Sequence, residues 1–535
     1  MATPLLPIHS TPEDRLSIDS QESYDLDEDD LKAYPSHLER ITQQIPSLWS
    51  SQREYPRRSD YTLLIPVSRC YKRVLFRISY YLFIILSSII ALVVITATFY
   101  PSYTNPPPHY TSLYNEVLSS NQTGRGNPHN EKIFIAASLY DPDGDLARGH
   151  WASSVLDLIT LLGEENVYLS IYENDSGEGD AGRIALNELN ERVPCNKSLV
   201  YEDLDLDELP KVILPDGSAR VKRITYLAET RNRVLRPLED ATATRFDKLL
   251  YLNDIAFDPV DALQLLFSTN VDEQGVAQYR AACAVDFTNP FKFYDTYATR
   301  DLEGYSMGLP FFPWFSDAGS GESRREVLQG KDAVSVRSCW GGMVAFDARF
   351  FQTNSTTNPT MTTAQQAETK EEEEATSPAR FRALNDTDIF WDASECCLIH
   401  ADIQAPWEEE TETGIYMNPF VRVAYDPTTL SWLPTARRIE RLFSLVQYLG
   451  NHLIGLPWFN LRREEIPGQR YQDSVFTTDT DATSDNTTEG SRDYRDFERV
   501  GTHDSFCGRR GLSVVKPRDW EGGGKGWMNV PIPVP

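Results

Sequence analysis

Residues Ile78 to Tyr100, ISYYLFIILSSIIALVVITATFY, run for 23 positions without a charge. As a helix rising ~1.5 Å per residue the run is ~35 Å long, enough to cross a ~30 Å hydrocarbon layer with some tilt. Thirteen of the 23 are Ile, Leu, Val or Phe. At roughly −0.3 to −0.6 kcal/mol each near the membrane centre, they favour insertion by about 4 to 8 kcal/mol. A buried core helix would be shorter and amphipathic. The run starts too late and is too long for a cleaved signal peptide.

Its flanks set an orientation. Arg53, Arg57, Arg58, Arg69, Lys72, Arg73 and Arg77 precede it, and no charge follows until Glu116. Positive residues stay on the cytosolic side, so residues 101–535 are expected in a secretory lumen, as in a type II single-pass protein. Six N-x-Ser/Thr sequons begin at Asn121, Asn174, Asn196, Asn354, Asn385 and Asn486, all after the run. This one-sided distribution suits a luminal glycoprotein. Of seven cysteines, Cys70 lies before the run as a candidate palmitoylation site. The other six follow it, an even number compatible with disulfides in an oxidising compartment. The net charge of −28 argues against nucleic acid as a partner, which needs a basic surface.

Composition divides the chain. Residues 1–77 read as a disordered acidic cytosolic tail with a basic juxtamembrane end, including YDLDEDD at Tyr24–Asp30. Residues 78–100 form the span and 101–130 a Pro-rich luminal stem. Residues 131–465 read as the folded domain, interrupted at 353–379 by a low-complexity insertion. Residues 466–535 read as a low-complexity region and tail, with 470–500 resembling the insertion. Within the domain, strand-like runs at KIFIAAS, NVYLSIYEND, KLLYLND and YRAACAVDF alternate with helix-like ones at AGRIALNELNERV and RITYLAETRNRVLRPL. That alternation predicts a parallel, doubly wound α/β sheet, whose ligands lie beyond the C-terminal strand ends. Glu173-Asn174-Asp175, Asn253-Asp254 and Asp286 sit there. Later, TARRIERLFSLVQYLGNHL reads as a basic amphipathic helix that packs on the sheet or touches a membrane.

No P-loop, dinucleotide fingerprint, HExxH or G-x-S-x-G is present. Phosphate would have to be held through metal and basic side chains. In KLLYLND a buried-type strand delivers one acid, Asp254, where a nucleotide-sugar site usually carries two. A hard divalent ion needs few protein carboxylates when substrate phosphates complete its shell. Arg231 and Arg233 precede that strand on a helix and suit phosphate recognition or a solvated face. Trp340-Gly341-Gly342 suggests an aromatic wall with close backbone approach, or a tight bend. Phe390–Gln404 gathers Glu395, His400 and Asp402 in apolar text beside Cys396-Cys397. Such residues supply metal ligands or an acid and base, and a lone His in such text can equally be a core residue.

The ordered set YENDSGEGD, LAETRNRVL, KLLYLNDIAF, AVDFTNPFKFYDTYATRDLEG, VRSCWGGM, SECCLIHADI and NPFVRVAYD, spanning roughly Glu131 to Asp426, resembles the fungal capsule-associated α-1,3-mannosyltransferase family, with a weaker echo at FCGRRGL. The resemblance implies a GT-A-like nucleotide-sugar transferase fold behind a single N-terminal transmembrane helix, in the Golgi membrane. It implies transfer of mannose from GDP-mannose to a glycan acceptor, with retention and with Mn²⁺ or Mg²⁺, in cell-surface polysaccharide or glycan synthesis. By position it implies Asp254, His400 and Asp402 as metal ligands, and Arg231, Asn232 and Asn253 at the donor. Trp340, Gly341 and Gly342 would line the acceptor pocket, with Glu395 and Asp295 as catalytic carboxylates. Arg300 and Asp301 offer a structural ion pair instead. Alternatives are the same fold using UDP-xylose or UDP-glucuronate, a non-catalytic polysaccharide assembly or export factor, or a lectin-like module.

Overall fold

The computed structural model describes residues 67–174, 180–239, 244–352, 377–384, 388–404, 413–456, 465–478, 492–516 and 526–533. The acidic cluster at Tyr24–Asp30, the side chain of Cys70, Asp175, residues 353–376 of the insertion and the sequons at Asn354, Asn385 and Asn486 lie outside the described residues. Helix α1 (Val67–Phe99) contains the apolar run, and its large side chains are exposed, Phe83 at 67% and Phe76 at 74%. Among the described residues it is the one helix long and apolar enough to cross a membrane.

The strands are β1 (Ile133–Leu139), β2 (Val167–Asn174), β3 (Asn196–Glu202), β4 (Lys248–Leu252), β5 (Ala281–Asn289), β6 (Arg300–Asp301), β7 (Val334–Ser338), β8 (Met343–Asp347), β9 (Trp391–Ala393), β10 (Ile415–Ala424), β11 (Arg470–Thr478), β12 (Arg492–Val500) and β13 (Gly508–Arg510). The main sheet has ten strands in the order β3-β2-β1-β4-β8-β5-β10-β7-β6, with Lys292–Phe293 pairing beside β5. The helices are α2 (Pro108–Ser119), α3 (His150–Leu162), α4 (Ala181–Arg192), α5 (Arg223–Leu235), α6 (Pro259–Ser268), α7 (Glu322–Gln329), α8 (Glu395–Ile403), α9 (Pro427–Ile439) and α10 (Phe443–Ile454).

Alternation along each strand builds two cores. Ile133, Ile135, Leu250 and Leu252 face α3 and α6 on one side of the sheet. Phe134, Ala136, Leu249 and Tyr251 face α5 and α8 on the other. Burial on both faces explains the near-continuous apolar text of β1 and β4. Local signals start the helices. Asp258 caps α6 through the Val260 amide with Pro259 in its first turn, and Ser394 caps α8 through the Cys396 amide.

The sheet is mixed rather than wholly parallel. β3, β2, β1 and β4 run parallel, as do β5 and β10, but β8 lies antiparallel between β4 and β5. Gly341 and Gly342 adopt φ of +57° and +67° in the link that carries the chain from β7 past β10 and β5 into β8, which runs in the same direction as β7.

The stem is also different from expectation. Tyr103, Tyr110, Leu113 and Val117 are buried, and α2 packs on α6. The Ser102 amide donates to Arg437 O at 2.9 Å, and the Ser102 hydroxyl bonds Glu440. The domain therefore begins within three residues of Phe99, without a spacer. The Pro-rich text is the entry to α2, with Pro108 at its first position.

Residues 470–500 are not an extension of low complexity throughout. β11 and β12 pair antiparallel, and Phe476 and Tyr494 pack on Phe390. β13 pairs with β9, and Cys507 is bonded to Cys397 of α8. The second disulfide joins Cys283 to Cys339, while Cys195 and Cys396 are buried and take part in neither disulfide. The expected long basic helix is broken at Glu440–Leu442, where buried Glu440 accepts both arms of Arg422 at 2.8 and 2.7 Å. Among the sequons, Asn121 and Asn196 are exposed. Asn174 is buried, with Oδ1 accepting the Leu204 amide, so the folded chain offers no room for a glycan there.

The Cys397–Cys507 bond closes a separation of 110 residues. Replacing both with Ala is expected to lower stability by about 2–4 kcal/mol, read as a lower denaturant midpoint together with faster proteolysis within residues 492–516.

Candidate functional site

The site is assembled around the end of β4. Asn253 is 2% exposed and bonded inside the protein through its backbone and its Oδ1. Its amide donates to Gly342 O at 2.9 Å, and its carbonyl accepts Trp151 Nε1 at 2.8 Å. Its Oδ1 accepts Trp340 Nε1 at 3.0 Å. This fixes the bend that turns the next residue, Asp254, to a half-buried position beyond the strand.

Trp340 is the shared wall. It is 2% exposed, and the Arg231 guanidinium lies 4.3 Å from its ring centroid. Arg231 is also 5.3 Å from Tyr251 and 5.6 Å from Phe381, a desolvated aromatic box for a cation. Its Nε donates to Glu395 Oε1 at 2.9 Å, and both residues are almost wholly buried. Glu395 Oε2 has no hydrogen-bond partner among the described residues. Breaking one side of such a pair leaves an uncompensated buried charge, a cost of about 3–5 kcal/mol.

On the other side of the Gly-Gly turn lies a carboxylate pair. Asp286 Oδ2 accepts the Tyr425 hydroxyl at 2.9 Å and Oδ1 accepts the Asp295 amide at 3.0 Å. Burial and then the charge of Asp295 push the Asp286 carboxyl up to about 7. Burial raises Asp295 as well, against hydrogen bonds from the Thr299 hydroxyl at 2.7 Å and the Ala298 and Gly341 amides at 3.0 and 3.4 Å. Asp254 lies near enough that its charge acts on the Tyr425 phenol, after burial and Asp286. Asp254 and Tyr425 follow the C-terminal ends of β4 and β10, and Asp286 lies in the C-terminal half of β5, the side on which an open α/β sheet receives its ligand.

The structure brings together Asp254, Asn253, Trp340, Gly341, Gly342, Arg231, Glu395 and Asp295. Asn232 serves elsewhere, its side chain clamping the backbone of Phe381 by donating to the carbonyl at 2.8 Å and accepting the amide at 2.9 Å. His400 and Asp402 are not assembled with Asp254. His400 is fully buried on α8, with Nδ1 2.6 Å from the Cys396 carbonyl and Nε2 3.9 Å from Cys283 Sγ. Burial pushes its pKa down to about 4. Asp402 faces outward and is held by the Arg382 fork at 2.9 and 2.8 Å. The physical reason is helical phase: a two-residue spacing on α8 sends the side chains to different faces. Arg300 is not paired with Asp301 by hydrogen bonds but holds the carbonyls of Tyr297, Thr299, Phe506 and Cys507, tying the C-terminal segment down.

Among the described residues, one set of three possible ligand atoms converges within 4.8 Å, namely Cys283, Cys339 and His400. The two sulfurs form a disulfide, so no thiolate is available to a metal. At the β4 end the donor chemistry is oxygen. One half-buried carboxylate, Asp254, suits a hard divalent ion whose remaining ligands are diphosphate oxygens and water. Tyr425 is not among the residues that the sequence singles out. Its signal is a Tyr-Asp pair closing an apolar strand, much as Asn253-Asp254 closes β4.

A mostly parallel α/β sheet with helices on both faces and acids near the strand ends is similar to a glycosyltransferase fold. Residues 132–402 match the family described as Cryptococcal mannosyltransferase 1, and the chain belongs to that family. No curated protein sequence matches the chain. Among solved structures it is similar to the mannosyltransferase PcManGT from Pyrobaculum calidifontis, solved in complex with GDP-Man and Mn²⁺, at 13% identity over 68% of this chain and 74% of that one, with a TM-score of 0.29. It is also similar to a mycobacterial protein at 12% identity, over 76% and 92% of the two chains, with a TM-score of 0.26.

A Cβ at Gly341 would lie 2.0 Å from Ala284 O, at a φ that L-residues rarely adopt. Gly341→Ala is expected to cost at least about 2 kcal/mol and to displace Trp340, seen as a lower denaturant midpoint and altered near-UV circular dichroism. Burial of His400 makes stability depend on pH. The unfolded chain takes up its proton near pH 6.5 and the folded one only near 4, so stability is greatest above 6.5 and falls as pH drops through that window. The loss is at most about 3 kcal/mol, and denaturation from pH 7 to 4 should show a shallower fall in His400→Leu.

Proposed function

We propose that the protein is a membrane-anchored α-1,3-mannosyltransferase that moves mannose from GDP-mannose to a mannosyl or other glycan acceptor, with retention, in cell-surface polysaccharide or glycan synthesis. The observation that carries this reading is family membership across residues 132–402, the stretch containing every residue assembled around Asp254 except Tyr425. The arginine flanks and apolar exposure of α1 support a type II anchor. The two disulfides after it suit a secretory lumen, here the Golgi.

In this reading Asp254 holds the divalent ion together with the donor diphosphate. The ion would supply Lewis-acid neutralisation of charge on the departing nucleotide. Trp340 is buried against Arg231 and bonded to Asn253, so in place of the acceptor wall expected of it, it braces the Gly341-Gly342 backbone from inside. Glu395 and Asp295 are buried and engaged, so they act as positioning residues: Glu395 fixes Arg231 beneath Trp340, and Asp295 fixes the Gly341 amide. Tyr425 orders Asp286 beside Asp254. Asn253 shapes the strand end from inside.

The test is transfer by the purified full chain from GDP-mannose to mannosyl oligosaccharides, with and without chelator, followed by linkage analysis. Mannose transfer lost on chelation and a new α-1,3 bond are expected. Asp254→Asn should reduce kcat/KM at least about 100-fold, equivalent to about 2.7 kcal/mol, with its melting temperature unchanged. Preference for a uridine donor would overturn the donor assignment. Full metal-dependent activity in Asp254→Asn would overturn the site.

A further inference from the structure

Helix α10 is built inside out. Its two most buried residues are polar, Gln447 and Asn451, one turn apart. Gln447 Nε2 donates to the carbonyls of Trp314 and Phe315 at 3.2 and 3.1 Å, and its Oε1 accepts from Arg324. Asn451 Oδ1 accepts the Leu309 amide at 2.8 Å. The outward side carries Leu445, Val446, Leu449 and Leu453, exposed at 64, 63, 52 and 76%. Positions 445, 449 and 453 recur every fourth residue and make one continuous stripe. A helix on a water-facing surface shows the reverse polarity. Phe443–Ile454 contains no Asp, Glu, Lys or Arg.

The location of this stripe names its occupant. Helix α10 follows α9 through the turn at Glu440–Leu442, and α9 and that turn pack on the end of α1. The Ser102 amide binds Arg437 O, and Arg437 Nη1 donates to Tyr103 O at 3.2 Å. The domain is therefore fastened to the end of the apolar helix at the level where a bilayer surface would lie. Trp432, 56% exposed on α9, and exposed Arg438 flank the stripe, the side chains that favour a membrane–water boundary.

We propose that α10 docks in the surface of a lipid bilayer, its Leu445–Leu449–Leu453 stripe among the headgroups and upper acyl chains, on the face where α1 emerges. This rests on the reading of α1 as a membrane anchor. It assigns the stripe to lipid rather than to a second copy of the chain, because α10 is joined through Glu440–Leu442 and α9 to α1, itself exposed and apolar. A helix of 12 residues is ~18 Å long, too short to span, and lies along the interface.

The test uses the full chain with Cys70→Ser, reconstituted in phosphatidylcholine vesicles containing acyl-chain spin labels. A fluorophore is placed in turn at Leu449→Cys, Leu453→Cys, Phe83→Cys and Ile184→Cys. Phe83 reports the span. Ile184, 48% exposed on α4, reports the opposite edge of the sheet. Quenching at 449 and 453 at least half that at 83, with none at 184, is expected. If 83 is quenched and 449 and 453 behave like 184, the docking is wrong and the anchor stands. If 83 is also unquenched, the anchor and the docking fall together. Energy transfer between labelled copies at 449, without quenching by lipid, assigns the stripe to self-association and overturns the proposal.

Discussion

Trp340 is held from three directions, and the arrangement around it depends on all three. Its indole N–H donates to Asn253 Oδ1, its face carries the Arg231 guanidinium, and its neighbour Cys339 is bonded to Cys283 of β5. The first contact ties the ring to the end of β4, the second to α5 and through Glu395 to α8, the third to β5 across the antiparallel β8. An indole offers one donor and one broad π face, and here both are occupied inside the protein. The Gly-Gly link that follows then enters β8 at a fixed position, on the far side of β5 and β10 from β7, with Asp254, Asp286 and Tyr425 along one edge.

The electrostatics of that edge divide two kinds of acid. Asp286 and Asp295 are buried and share neutral donors such as the Tyr425 hydroxyl and backbone amides, and burial favours their protonated forms. Asp254 is half-buried at the bend. Like charges close together raise one another's cost of ionisation, so the buried pair is disfavoured from carrying two full charges. Asp254 is the carboxylate of the three that a cation from solvent can reach.

The sheet was legible because β1, β2, β4 and β5 carry apolar runs buried on both faces, and α5 keeps a helical period. β8 was not, because Met343–Asp347 looks like the continuation of β7 until the positive φ of Gly341 and Gly342 is known. The Pro-rich stretch after α1 resembles a spacer in composition, yet Tyr103 and Tyr110 anchor it in the core. The hairpin of β11 and β12 hides in polar text because, among the described residues, Phe476 and Tyr494 are the side chains on it that join the core around Phe390. At the site, the bend at Asn253-Asp254 and the Trp-Gly-Gly turn were legible as local features, but the roles expected of Asn253 at the donor and Trp340 at the acceptor were not, because both side chains are buried and bonded to one another. His400 and Asp402 misled because proximity in sequence on a helix says little about which face each side chain takes.

The absence of a spacer between Phe99 and Ser102 changes how such a domain can search. A flexible tether lets a catalytic head sample a volume whose radius grows as the square root of its length. Fastened at Arg437 and Glu440, this head keeps one height and a narrow range of tilts. With α1 as the proposed anchor, the distance from the site to the lipid would be set by the protein's own girth, and diffusion would become two-dimensional. A glycan acceptor of the proposed kind would then have to present its end at that height, its length measured against the body of the domain.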